Sequence, residues 1–75
     1  REMTLGGLPL GADVSIFNGA GQLICRVFGE PESSNVGWDG LNESGYYVGS
    51  GIYYYFATNG VENATGSFAV INQIR

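Results

Sequence analysis

Four consecutive aromatic residues, Tyr53, Tyr54, Tyr55 and Phe56, stand in a 75-residue chain interrupted by thirteen glycines. This run limits the fold more than any other feature. Each aromatic side chain offers roughly 150–250 Å² of surface for burial. A chain near this length buries only about 60% of the surface its unfolded form exposes. The aromatics must therefore supply a large part of the core, and the 44% apolar and 13% aromatic content makes a core possible. A helix does not fit: no window sustains a helical period, and each glycine would cost a helix about 1 kcal/mol. Short apolar runs between glycine-rich turns point to an all-β domain.

Taken in order, the chain reads as six short strands. Met3 and Leu5 alternate in a first strand within residues 1–10. Residues 13–18 place Val14 and Ile16 on one face, with Ser15 and Phe17 on the other. Asn18-Gly19-Ala20-Gly21 supplies a hairpin turn tolerant of positive φ. The strand returns over residues 22–28, with Leu23, Cys25 and Val27 on one face and Ile24, Arg26 and Phe28 on the other. Residues 29–35 form a polar loop, and residues 36–39 a short strand anchored by Trp38. Glycines punctuate residues 40–51, and the aromatic strand occupies residues 52–58. Asn59-Gly60 marks a turn that Val61-Glu62-Asn63 lengthens. Residues 65–74 close the sheet, with Phe68, Val70 and Asn72 alternating against Ala69 and Ile71. Six strands joined by such turns predict one small antiparallel β-sandwich spanning residues 1–75.

The chemistry-bearing residues are few. A formal net charge of −4, with no lysine or histidine, disfavours nucleic acid and anionic membranes as partners, because Arg1, Arg26 and Arg75 are scattered. No apolar run is long enough for membrane insertion as a helix. Cys25 lies in the apolar run LICRVF and reads as a buried, inert thiol. Without histidine or lysine, a base poised near neutral pH is missing, so the expectation is no enzyme and no cofactor. Asp39-Gly40-Leu41-Asn42-Glu43 is acidic but lacks the spacing that gathers oxygens around calcium, and it reads as a turn rather than a metal site. Asn42-Glu43-Ser44 and Asn63-Ala64-Thr65 match the N-glycosylation pattern and are read as chance occurrences.

Three segments together carry a resemblance: LPLGADVSIFNGAGQLI, VGWDGLNESGYYVGSGIYYYFAT and TGSFAVI. In this order and spacing they resemble the Ig-like C-terminal sorting domains of type IX-secreted bacterial proteins. The Ig-like domain of the flagellar hook-capping protein is related to these. The most specific residues are Trp38, Asp39, Gly40, Asn42, Gly45, Val48, Ser50, Gly51 and Tyr53. The resemblance implies an Ig-like β-sandwich at the C-terminus of a larger protein. Physically, Trp38 would fill the middle of the sandwich and Asp39 would accept N–H groups of the following turn. Gly40 and Gly45 would take conformations closed to residues with a Cβ. Tyr53 would act as a tyrosine corner. Two features depart from the pattern. The opening segment with a Pro-Asn-Pro-like motif is absent, so the first family strand is missing here. The basic, apolar tail of sorting modules is replaced by Ile71-Asn72-Gln73-Ile74-Arg75.

The aromatic strand is apolar on both faces. With Tyr53, Tyr55 and Ala57 inward, as the resemblance implies, Ile52, Tyr54 and Phe56 point out, and Phe17 and Phe28 are expected on the same exterior sheet. These five residues are the candidate partner-binding set, since monomers rarely expose large apolar patches. The expected role is a non-catalytic extracellular or cell-surface module for secretion targeting or surface attachment. Its partners would be secretion machinery, a neighbouring domain or like subunits in a homo-oligomer. The alternative is a structural subunit of an extracellular filament or cap, assembled by strand complementation.

Overall fold

A computed structural model describes residues 3–71. Six strands follow in order: β1 (Met3–Leu5), β2 (Asp13–Phe17), β3 (Leu23–Phe28), β4 (Val36–Trp38), β5 (Gly51–Thr58) and β6 (Asn63–Val70). All pairing is antiparallel, and no described residue is helical. β1 and β4 form a two-stranded sheet, while the other four make a sheet in the order β3-β2-β5-β6. The expected all-β, six-stranded sandwich holds. β6 ends at Val70, short of the residue 74 that alternation predicts, and the expected place of Asn72 on the face of Phe68 and Val70 lies outside the described residues.

The core occupies the space between the sheets. Val14 and Ile16 of β2 are fully buried, as is Ala57 of β5, with Cys25, Val36, Trp38, Tyr53 and Val70 joining them. No polar or charged side chain among the described residues is buried. The aromatic kernel is built around Trp38, which is 2% exposed. Its ring meets Tyr53 edge-on at 6.1 Å and Phe68 edge-on at 5.8 Å, and Phe68 also contacts Tyr55 at 6.3 Å. Such edge-to-face geometry sets the positive rim of one ring against the negative face of another.

Two turns repeat one device. In Asn18-Gly19-Ala20-Gly21-Gln22 and in Asn42-Glu43-Ser44-Gly45-Tyr46, the asparagine Oδ1 accepts the N–H groups two and four residues ahead. The backbone N–H of each asparagine donates to the carbonyl four residues on. The glycine closing each turn has positive φ, 82° at Gly21 and 86° at Gly45. A side chain there would meet the left-handed penalty that glycine escapes.

Two local expectations change. A register shift between Ile16 and Phe17 pairs Ile16 with Cys25 but Phe17 with Leu23. Ile24 is the extra residue of this bulge, so it leans against the core and Leu23 turns outward. Leu23 therefore does not share a face with Cys25 and Val27. In addition, Asn59 and Glu62 close a four-residue loop, so β6 begins at Asn63 rather than at residue 65. Asn59 Oδ1 takes the N–H groups of Val61 and Glu62, and its Nδ2 donates to the Leu10 carbonyl at 3.1 Å. That last bond ties the β5–β6 turn to the β1–β2 connection.

Candidate functional site

The turn after β4 holds the residues of the sequence motif in place. Trp38 Nε1 donates to the Leu41 carbonyl at 3.0 Å, and Asp39 Oδ1 accepts the Leu41 N–H at 3.1 Å. Leu41 pairs with Tyr47 in an isolated bridge, and the Val48 N–H donates to the Gly40 carbonyl. Residues 40–48 thus form a small hairpin of their own rather than a plain linker. Gly40 sits at φ 82°. The Tyr53 hydroxyl donates to the Gly49 carbonyl at 2.7 Å, the upstream backbone contact of a tyrosine corner. Every one of these contacts positions the chain. Among the described residues, no three acidic, thiol or imidazole groups gather closely enough to share a metal ion.

The outward face of the four-stranded sheet is different. Along β5, Ile52, Tyr54 and Phe56 are 52%, 47% and 39% exposed. Register places Phe17, half-buried, opposite Tyr54, and Leu23 opposite Phe17. One row across the sheet therefore runs Leu23, Phe17, Tyr54, with Ile52 and Phe56 flanking Tyr54 along β5. Directly paired positions lie about 4.5–5.5 Å apart, close enough for continuous contact. The neighbours on either side are small: Ser15 beside Phe56, and Thr65, Ser67 and Ala69 on β6. They leave the apolar strip standing above its surroundings. Phe28 is 74% exposed but pairs with Asp13, two rows from Phe17 and beyond Arg26. Of the five candidate residues, the sheet brings Phe17, Ile52, Tyr54 and Phe56 together and leaves Phe28 at a corner. Leu23 is the member that sequence periodicity misses, because only the bulge turns it outward.

Cys25 lies on the inner face and is buried. Burial pushes its thiol up from the ordinary value, and the negative charges of Asp39 and Glu43 push it further, against a smaller lowering by the polar edge of the Trp38 indole. A thiol held protonated in this way is a poor nucleophile.

No protein-family model and no curated protein matches the chain. Among solved structures it is similar to PorZ, described as an essential bacterial surface component of the type-IX secretion system of human oral-microbiomic Porphyromonas gingivalis. The match has a TM-score of 0.72 and 28% identity, and it covers 92% of this chain but 9% of the PorZ chain. The fold described above is thus one found as a small part of a larger secretion-system protein. The likeness supports a domain related to the type IX system.

Proposed function

We propose that this chain is a non-catalytic β-sandwich module of a larger extracellular or surface protein. It serves secretion targeting or surface attachment through the type IX system, as the C-terminal sorting domains it resembles do. The observation that carries the reading is the apolar strip of Phe17, Ile52, Tyr54 and Phe56, exposed on a sheet whose other face is closed by the core. Interface cores are rich in aromatics and poor in charge. This strip has that composition, and it lies on a fold shared with part of a surface component of that secretion system. The partner on this reading is secretion machinery or an adjoining domain.

The experiment is to fuse the chain to the C-terminus of a periplasm-directed reporter in a bacterium with a type IX system. The reporter is expected at the cell surface in the parent strain and trapped in a strain lacking the system. Tyr54→Ser with Phe56→Ser should reduce surface display while the purified chain stays folded. A reporter trapped in both strains would end the targeting reading.

A second reading, a filament or cap subunit, is favoured by the short β1–β4 sheet, which no other described strand extends. It predicts self-association of the isolated chain. A folded monomer at high concentration by size-exclusion chromatography would exclude it.

A further inference from the structure

A second feature lies away from the outer strip and plays no part in the secretion role proposed above. A groove of about 510 Å³ opens along one side of the sandwich. One wall is residues 25–28 of β3, and the other combines residues 37–39 with Leu41, Asn42, Glu43 and Gly45. Successive side chains of a strand point to opposite faces. A groove lined by four consecutive residues must therefore follow the backbone edge of the strand rather than one of its faces. β3 is an edge strand of the four-stranded sheet, and β4 an edge strand of the smaller one. Alternate N–H and C=O groups of β3 point away from β2 along this edge, which makes it a template for another strand.

Charge selects among possible occupants. Asp39 and Glu43 stand on one wall and Arg26 on the other, which leaves the groove net negative. Their field reaches the opposite wall, where both carboxylates disfavour the Cys25 thiolate. Apolar surface is present as well: Phe28, 74% exposed, and the half-buried Leu41 both line the groove. A second copy of the chain is a poor match, because each copy carries a formal charge of −4. Like charges facing each other across an interface oppose association.

We propose that this groove takes an extended, lysine- or arginine-bearing segment of a partner protein, added to the edge of β3 that no described strand occupies. About four residues of that segment, spanning about 13 Å at about 3.3 Å per residue, would match residues 25–28. Main-chain hydrogen bonds to β3 supply affinity, as in other strand-addition complexes. Cationic side chains meet Asp39 and Glu43, and an apolar side chain covers Phe28.

Trp38 is the only tryptophan and lines the groove, so its emission reports occupancy. The probes are a blocked hexapeptide of alternating valine and lysine and its valine–glutamate counterpart, titrated into the isotope-labelled 75-residue chain. The lysine peptide is expected to shift Trp38 emission and the amide resonances of residues 25–28, and the glutamate peptide to leave both unchanged. Asp39→Asn combined with Glu43→Gln should weaken the lysine peptide between about two- and thirtyfold, from two exposed ion pairs of about 0.2–1 kcal/mol each. The amide oxygen at position 39 keeps the bond from the Leu41 N–H, so the turn survives. Four outcomes of the peptide titrations would overturn the proposal. They are no binding of either peptide, equal binding of both, unchanged affinity in the double variant, and resonance shifts on β5 in place of β3. Concentration-dependent dimerisation through β3 would also overturn it, by giving the edge to a second copy.

Discussion

The two faces of β5 carry much the same chemistry and meet opposite fates. Tyr53 is 7% exposed and Tyr54, its neighbour in sequence, is 47% exposed. Hydrophobicity does not distinguish them; their cross-strand and cross-sheet partners do. On the inner face, Trp38 and Phe68 give Tyr53 rings to pack against, and the Gly49 carbonyl satisfies its hydroxyl. On the outer face, Tyr54 has Phe17 on one side and Ser67 on the other, and among the described residues no second sheet lies above it. A buried tyrosine is stable only where its polar tip finds a partner. The inner face is thus defined by complementarity, and the outer face by the want of it. That asymmetry is what turns a structural strand into a candidate contact surface.

The sharpest way to test this contrast is to remove the inner partner. Trp38→Ala deletes the ring that Tyr53 and Phe68 pack against, and such truncations cost about 3–5 kcal/mol. A domain of this length holds roughly 4–11 kcal/mol in total. Urea unfolding followed by circular dichroism should show a midpoint near zero denaturant or an unfolded chain. A loss below about 1 kcal/mol would mean that the kernel is not the centre of the core.

A subtler test acts on the inner face of β5 itself. Gly66 pairs with Tyr55, and a Cβ on Gly66 would lie 2.6 Å from the Tyr55 hydroxyl and 2.7 Å from its ring. The ring covers the glycine. Gly66→Ala must push it aside, and overpacking of this kind costs about 1–3 kcal/mol. Since Tyr55 also contacts Phe68, the loss should be accompanied by chemical-shift changes at Phe68 and Trp38. An alanine variant as stable as the parent would show that Tyr55 has room to move.

Much of this arrangement was legible in the sequence. Alternation placed Val14 and Ile16 on one face, the family resemblance implied that Tyr53 and Ala57 point inward, and the spacing of Trp38, Asp39 and Gly40 announced the turn that follows β4. The legible part rests on period-two patterning and on glycines at positive φ, both local signals. The illegible part depends on pairing between strands. Leu23 alternates correctly with Cys25, but the shift at Ile16/Phe17 turns it to the other face. A bulge is decided by how two strands meet, and neither strand carries it alone. The edge groove was hidden for the same reason: residues 25–28 and Leu41 to Gly45 are neighbours only once β3 and β4 belong to different sheets. The two Asn-x-x-Gly turns were legible as turns, yet their shared hydrogen-bond pattern emerges only from geometry.

The smallest expected effect belongs to the outer face. Tyr54→Thr keeps a residue suited to strands, and on β6 it faces Ser67, with which a threonine hydroxyl forms a compatible cross-strand pair. The cost is the partial burial against Phe17, which should remain below about 1 kcal/mol because strand-pair contributions fall in that range. Stability and the Trp38 environment should therefore stay close to those of the parent, measured by urea unfolding and tryptophan emission. The contrast with Trp38→Ala is the informative quantity. If Tyr54→Thr unfolds the chain as readily as the Trp38 truncation does, the outer strip belongs to the folding core and cannot be reserved for a partner. If it leaves the fold intact while weakening surface display, burial and contact are divided between the two sides of a single strand.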